Sequence, residues 1–445
     1  MKVSLSKGTR DFLPLQARRR KYIFQTIESV FSNFGYQPLE TPAMEQLDTL
    51  MGKYGDEGDK LLFKIINSGD FLKDADAGLL SAKNSNGVLR QVSEKGLRYD
   101  LTVPFARVVS MNQHQISFPF KRYQIQAVWR ADRPQRGRYR EFYQCDADVV
   151  GSGSLVFEAE LMEMYDRVFK SLRIPVKIQL NHRAILESFA MHLQRPDLFI
   201  PITTALDKLD KTSTDEVAQD LEKVGLTTSE ASWILAQIQN KKLDDFHFHE
   251  NSTKGVKDLQ TVFDLLRHSG LNNEVIFEPT LARGLSYYTG CIFEVLPVGI
   301  KMGSLGGGGR YDNLTGAFGL PGMSGVGISF GADRIYDVME EHQLWPEHLA
   351  QSVQALIMPL DSSTIEYAFS IAGLLRSNGI PTDLYPEAVK LKKQFAHAES
   401  IGARIAIIIG ENEKNNQQVS LKNQKTGEQH IIAKSDLVTF MLHQK

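Results

Sequence analysis

Residues able to bind and orient an anion crowd into one stretch, 128–151, VWRADRPQRGRYREFYQCDADVVG. Arg130, Arg133, Arg136, Arg138 and Arg140 fall within eleven positions, interrupted by the turn-forming run Pro134-Gln135-Arg136-Gly137. Aromatic and β-branched residues on both sides of the turn predict a β-hairpin with a long basic loop, its strands running over 123–130 and 138–150. Side chains alternate faces along a strand. Arg138, Arg140, Phe142, Gln144, Asp146 and Asp148 then share one face, and Arg130 has the matching parity on the first strand. A charged strand face is ordinarily a solvated, salt-bridged one. The arginine density around a single turn, mixed with Phe142 and Gln144, favours a binding floor instead. Guanidinium groups suit phosphate or carboxylate, a ring can stack a base, and Asp can hold a cationic or hydrogen-bonding group.

Four other stretches carry chemistry-bearing residues. Asp100 and Thr102 share parity if the backbone is extended, and a carboxylate beside a hydroxyl suits an ammonium group. The competing reading has Thr102 cap a helix that begins before Pro104. In 281–290, LARGLSYYTG, Arg283 sits on a Gly turn beside Tyr287 and Tyr288. The tyrosines could be packing, but a lone Arg beside them argues for an anion or a ring-bearing ligand. The run Gly306 to Gly309 permits close backbone approach or positive φ. It is not a phosphate loop of the Gly-Lys-Ser/Thr kind, because Arg310-Tyr311-Asp312 follows. Residues 325–335 read as strand, turn and helix, with Ile335, Val338 and Met339 on the buried face. Arg334 near that helix N-terminus opposes the macrodipole, which supports a job on a phosphate.

The elements that must position these groups belong to an ordinary globular chain. Its 445 residues, 42% hydrophobic and 23% charged, suffice for two to four domains. A formal net charge of −2 rules out a polybasic chain, so any nucleic-acid contact must be a local patch. Two cysteines are too few for a disulfide scaffold or a four-cysteine zinc site, and fit a reducing cytoplasm. No signal peptide or membrane span is expected. A helix is predicted from about Leu15, striped by Ile23, Ile27, Val30, Phe31 and Phe34 and ended by Gly35, then an extended segment over 36–42. Residues 63–71 read as a strand and 73–95 as a loop insertion. A helix over 153–172 and a strand over 174–180 follow. Residues 181–271 show helical stripes only. Strands return at Val275, and 352–445 alternates strand and helix, with Ile405 to Ile409 suited to a central parallel strand.

Arg130-Ala131-Asp132, the basic loop and RYREFYQCD resemble motif 2 of class II aminoacyl-tRNA synthetases. GRYREFYQCDADVVG resembles the histidyl-tRNA synthetase family in particular. LARGLSYYTG resembles that family's signature, with Ser286 where the family usually has Asp. GGGGRYD resembles its second signature, and 325–335 resembles class II motif 3. The first helix, strand and Pro resemble motif 1, although a helix packed on its own domain explains them equally. KKQFAHAESIGARIAIIIGENE resembles the family's anticodon-binding domain.

The resemblance spans about 7–440. It implies an α+β fold with an antiparallel catalytic sheet and flanking helices (1–181 and 272–340), an all-helical insertion (182–271), a linker (341–351) and a C-terminal α/β anticodon-binding domain (352–445). It implies a cytoplasmic homodimer that takes L-histidine, ATP with Mg²⁺ bridging its phosphates, and tRNA(His), without a protein metal site. Arg130 and Arg283 would act on the α-phosphate. Arg138, Phe142 and Arg334 would bind ATP with Arg130, the Phe142 ring stacking adenine. Asp100, Leu101, Thr102 and Gln144 would hold the amino acid's backbone groups. Asp148, Tyr287 and Tyr288, with Arg283, would complete the histidine site. Arg133, Gln135 and Arg136 would meet the tRNA acceptor end. Two other readings stay open: a non-catalytic regulatory subunit of ATP phosphoribosyltransferase, and a pure RNA-binding protein built on the basic hairpin.

Overall fold

The basic hairpin lies within an eight-stranded sheet. The computed structural model describes residues 3–53, 55–209, 212–282, 288–351 and 353–443. In spatial order the sheet runs Gln37–Pro38, Phe120–Trp129, Glu141–Val150, Gly325–Gly331, Gly306–Tyr311, Cys291–Pro297, Val176–His182 and Glu274–Phe277. The two edge pairings are parallel and the interior ones antiparallel. Both hairpin strands are ten residues long, with Phe120 opposite Val150 and Trp129 opposite Glu141. The second strand begins at Glu141, later than the expected 138. Arg138 and Arg140 therefore belong to the loop, where the Arg140 backbone N–H donates to Gly8 O at 2.9 Å. The shared face starts at Phe142.

One face of the sheet is apolar and covered by helices. Helix Pro14–Asn33 buries Ile23, Ile27, Val30 and Phe31, and helix Val156–Leu172 buries Met162, Tyr165 and Phe169. Phe330 meets Phe31 at 5.8 Å and Tyr165 at 4.7 Å between ring centroids. Cys145 and Cys291 are free and buried, and burial pushes both thiols well above their ordinary range.

Glycines set the spacing of the central strands. None of Gly306 to Gly309 has a positive φ. They are there because side chains have no room. A Cβ on Gly308 would lie 2.1 Å from Gly327 O, and one on Gly309 2.7 Å from Cys291 O. Both obstacles are backbone, which cannot swing aside.

Two expectations fail near the start of the chain. The strand expected over 63–71 reduces to Lys64–Ile65, an edge of a three-stranded sheet with Lys95–Leu97 and Met44–Gln46. The segment read as a loop over 73–95 contains helices Ala77–Ser81 and Ser85–Val92. Asp76 and Asn84 cap them by accepting from Leu79 N and Gly87 N at 2.8 and 3.0 Å, a role that its Asn and Asp content, read as loop-forming, also permits.

Helices Arg183–His192, Phe199–Leu206, Thr214–Lys223, Thr228–Asn240 and Glu250–Leu266 fill the stretch predicted to be helical. By its internal contacts the chain forms two units, 1–11 with 20–344 and 12–19 with 345–445. In the second unit a five-stranded sheet orders Thr382–Leu384, Ala355–Pro359, Ile405–Ile409, Gln418–Asn423 and Gln429–Ala433. The apolar Ile405–Ile409 strand is central, parallel to Ala355–Pro359 and antiparallel to Gln418–Asn423.

Gly308→Ala should destabilise the protein by about 3 kcal/mol, the upper range for overpacking, because the clash is with backbone on the neighbouring strand. Urea unfolding checks this. An unchanged midpoint would mean that the strands can part without cost.

Candidate active site

The polar face of the sheet carries a cleft in two adjoining compartments. One, of about 270 Å³, is lined by Arg130, Arg138, Phe142, Gln144 and Arg334, among others. The other, of about 350 Å³, is lined by Asp100, Thr102, Asp146, Asp148, Tyr288 and Tyr311, among others. Arg130, Gln144, Gly307 and Ser329 line both. The register explains the hollow. Opposite Gln144, Asp146 and Asp148 stand Gly331, Ser329 and Gly327, and Gly307 and Gly309 continue the row on the next strand. Long polar side chains thus face a floor with almost no side chains of its own.

Arg130 is held at the seam. Its Nε donates to Tyr99 O at 3.1 Å and a terminal nitrogen donates to Gln144 Oε1 at 3.3 Å. Gln144 Nε2 in turn donates to Ser329 Oγ at 2.9 Å. The Arg130 guanidinium lies 4.2 Å from the Tyr99 ring centroid and 5.2 Å from that of Phe142. In the first compartment Arg334 donates from Nε to Gly137 O at 2.8 Å and from a terminal nitrogen to Ser304 O at 2.7 Å. The basic loop is thereby tied to the helix that follows strand Gly325–Gly331.

The second compartment rests on buried charge. Arg122 is directly opposite Asp148 in the hairpin register, and the two form an ion pair at 2.8 Å with both side chains nearly inaccessible. Asp148 Oδ1 also accepts from Tyr311 Oη at 2.6 Å. The partner of Asp148 comes from the preceding strand. Burial pushes the Asp146 carboxyl up to about 7, opposed by Arg122 and reinforced by the neighbouring Asp148. Burial raises Asp148 as well, against Arg122 and the Tyr311 hydrogen bond. Two buried carboxylates share one cation, which shifts both toward the protonated form.

Asp100 and Thr102 reach this compartment by a route different from the expected extended one. The chain turns into helix Thr102–Asn112, and Asp100 Oδ1 accepts from Val103 N at 3.1 Å. Asp100, not Thr102, is the capping side chain. Leu101 is fully buried, lines neither compartment, and offers its carbonyl to Arg122 at 3.3 Å. Arg133, Gln135 and Arg136 are exposed on the loop, off the walls of the cleft, and Arg136 pairs with Glu341. Arg283, Ser286 and Tyr287 lie outside the described residues. Residues that sequence reasoning left unassigned are Arg122, Tyr99, Tyr311, Ser329 and Asp146. Asp146 was visible in the period-two row, and Tyr311 in GGGGRYD.

An antiparallel sheet that carries Arg, Phe, Gln and Asp in a row, entered from a basic loop, is the catalytic architecture of class II aminoacyl-tRNA synthetases. Comparison with known proteins narrows the class. The family model described as histidyl-tRNA synthetase matches residues 8–72 and 90–335, and the anticodon binding domain model matches 354–444. The gap falls on the capped helices described above. The chain is 48% identical over 446 residues to histidine–tRNA ligase of Phocaeicola vulgatus, covering 98% of each chain. It is 49% identical over 440 residues to that of Porphyromonas gingivalis, covering 97% of each. The crystal structure of histidyl-tRNA synthetase from Nostoc sp. PCC 7120 superposes with a TM-score of 0.85 at 27% identity over the full length of both. A Bacillus halodurans structure titled ATP phosphoribosyltransferase regulatory subunit/histidyl-tRNA synthetase shares the fold, with a TM-score of 0.72 at 20% identity. The chain belongs to the histidyl-tRNA synthetase family.

Arg122→Met should cost about 3–5 kcal/mol at pH 8, the scale for stranding a buried charge. The sign with pH follows from the raised carboxyls. A folded state that binds protons more tightly than the unfolded chain loses stability as pH rises from the ordinary Asp range to about 7. Without Arg122 both carboxyls move higher still, so the penalty should shrink as pH falls from about 8 to 6. Denaturant unfolding at the two pH values checks this, and an equal penalty at both would contradict it.

Proposed function

We propose that this chain activates L-histidine with ATP and transfers it to tRNA(His). The observation that carries the reading is the pair of compartments joined at Arg130, Gln144, Gly307 and Ser329. The two-step reaction needs a nucleotide and an amino acid side by side, with a fixed cation where they meet.

In the first step a histidine carboxylate oxygen attacks the α-phosphorus. The new C–O–P bond forms as the bond to the pyrophosphate oxygen breaks, and pyrophosphate leaves with those electrons. No protein nucleophile is required. Negative charge builds on the phosphoryl oxygens, so the protein's part is positioning and preorganised positive charge. Arg130 supplies it at the seam, its fork already braced by Tyr99 and Gln144, with Arg283 as the second cation. Phe142 stacks the adenine, while Arg138 and Arg334 take phosphate oxygens in the first compartment. Asp100 and Thr102 hold the α-ammonium and Gln144 the backbone side of the amino acid. Asp148, Tyr287 and Tyr288 face the ring. In the second step the terminal ribose hydroxyl of tRNA attacks the carbonyl and AMP leaves. The exposed Arg133, Gln135 and Arg136 suit the acceptor end.

Mg²⁺ enters this reading as part of the ATP substrate, held by phosphate oxygens. Among the described residues no cluster of three or more His, Cys, Asp or Glu can hold a metal. The cleft carboxylates Asp132 and Asp333 face Arg138 and the pair Arg10 and Arg20 instead. Among the described residues no helix is long and apolar enough to cross a membrane. A cytoplasmic homodimer completes the proposal. Its parts are a catalytic domain (1–181 and 272–340), a helical insertion (182–271), a linker (341–351) and an anticodon-binding domain (352–445).

Histidine-dependent ATP–pyrophosphate exchange tests the function, and its absence would refute it. Arg130→Ala should slow single-turnover adenylate formation by about 10²–10³-fold, the scale for one transition-state donor. The loss should appear in the chemical step, not only in the apparent affinity for ATP. A rate within about threefold of wild type, roughly 0.65 kcal/mol, would remove Arg130 from the chemistry.

A further inference from the structure

Residues 8–10 lie against the basic loop. That loop, 130–140, gathers five arginines, and like charges so close repel one another, so groups outside the loop must hold its shape. Gly8 O accepts from Arg140 N at 2.9 Å. Gly8 has a φ of +88°, and a Cβ there would lie 2.8 Å from Arg140 Cγ, so a glycine allows the approach. Two residues on, the Arg10 guanidinium lies 3.5 Å from the centroid of the Tyr139 ring. One terminal nitrogen of Arg10 reaches Asp333 at 2.5 Å and the other reaches Asp337 at 3.1 Å, both on helix Ala332–Glu341.

These contacts close on themselves. Tyr139 Oη donates to the second oxygen of Asp337 at 2.7 Å. Burial, with that hydrogen bond, pushes the phenol up to about 12. Asp337 is thus shared by Arg10 and the loop. Asp333 is shared in the same way: its Oδ1 faces Arg10 and Arg20, and its Oδ2 accepts from Tyr143 N at 2.9 Å. Tyr139, Phe142 and Asp333 all line the first compartment, whereas Arg10 lines neither. The Asp333 and Asp337 side chains are only 6% and 13% exposed, so this is a part-buried network and not a solvated surface pair. A forked guanidinium stacked on a ring fixes direction as well as charge, which a point-like ammonium does not.

We infer that Arg10 is a positioning residue for nucleotide binding: it ties the basic loop to helix Ala332–Glu341 and presets the wall from Tyr139 to Tyr143 that flanks the first compartment. The inference rests on the histidine-activating reading and deepens its nucleotide side. Without Arg10, Asp333 keeps Arg20 as a partner, while Tyr139 loses the cation over its ring and Asp337 loses an ion pair. The wall of the first compartment then shifts, and the second compartment, beyond Arg130, does not.

The test is histidine-dependent ATP–pyrophosphate exchange by the full-length wild type, Arg10→Met and Arg10→Lys, with ATP and histidine varied in turn. Arg10→Met keeps an unbranched stem and removes the charge and the fork. It should raise KM for ATP by about tenfold to a hundredfold, the scale for a reactant displaced by a distant substitution, with KM for histidine within about threefold. Arg10→Lys restores a cation without the fork and should recover part of the ATP loss. It decides the matter by the same split if the Met variant does not fold. Tyr139→Phe keeps the ring and removes the bond to Asp337. It acts on the same wall, so combining it with Arg10→Met should cost less than the product of the two separate losses. A merely structural Arg10 would lower the melting temperature and the active fraction and leave KM for ATP within about threefold of wild type. That result, or KM values for ATP and histidine that rise together, would overturn the inference. A wild-type protein with no histidine-dependent exchange would instead overturn the function on which it rests.

Discussion

One guanidinium stands against two carboxylates inside the central sheet, and the candidate site is built over that imbalance. Arg122 is fully inaccessible. It spends its charge on Asp148, lends a donor to the Leu101 carbonyl, and lies 4.3 Å from the Phe105 ring centroid. Those contacts reach the opposite strand, the approach to helix Thr102–Asn112 and the helix itself. The same group that neutralises the floor therefore also fixes where Asp100 and Thr102 arrive. A buried ion pair is weak evidence of stability. Its value here is geometric, because it locks the hairpin register to the helix start.

The second constraint is emptiness. A polar row of Phe142, Gln144, Asp146 and Asp148 could as easily have been covered by its neighbours. Glycines at 307, 309, 327 and 331 prevent this. A Cβ on Gly327 would sit 2.0 Å from Asp148 Oδ1. Backbone closeness and open volume are thus one property seen from two faces: the strands pack tightly below and leave a hollow above. Charge on one strand and absence of side chains on the next two make the cleft together.

Much of this was legible in the sequence, for physical reasons that differ by element. Strand alternation is strict, so 142, 144, 146 and 148 had to share a face once the hairpin was recognised. Helical stripes such as Ile23, Ile27, Val30 and Phe31 announce burial directly. The strand–helix alternation of the second unit and its central strand Ile405–Ile409 were read directly, since an apolar run that short suits a buried strand. The failures came where local chemistry is ambiguous. Asp76 and Asn84 look the same whether they make a loop or cap a helix. Asp100 and Thr102 could extend, or Thr102 could cap a helix; the helix formed, with Asp100 as its cap. Arg122 was missed because its role depends on a partner across the turn, and register is a tertiary fact. Resemblance supplied what spacing could not, the identity of the amino acid.

The two buried cysteines place a silent reporter in the sheet. Cys145 lies between Gln144 and Asp146, and Cys291 opens the strand that pairs with the glycine run. Sealed, and with thiols that burial keeps protonated, neither presents the thiolate that alkylating reagents attack. Cys145 becomes reactive only when the floor of the cleft opens. Its rate of labelling is therefore a clock for local opening of the sheet. Any ligand that braces the hairpin should slow that clock, with no need to follow turnover at all.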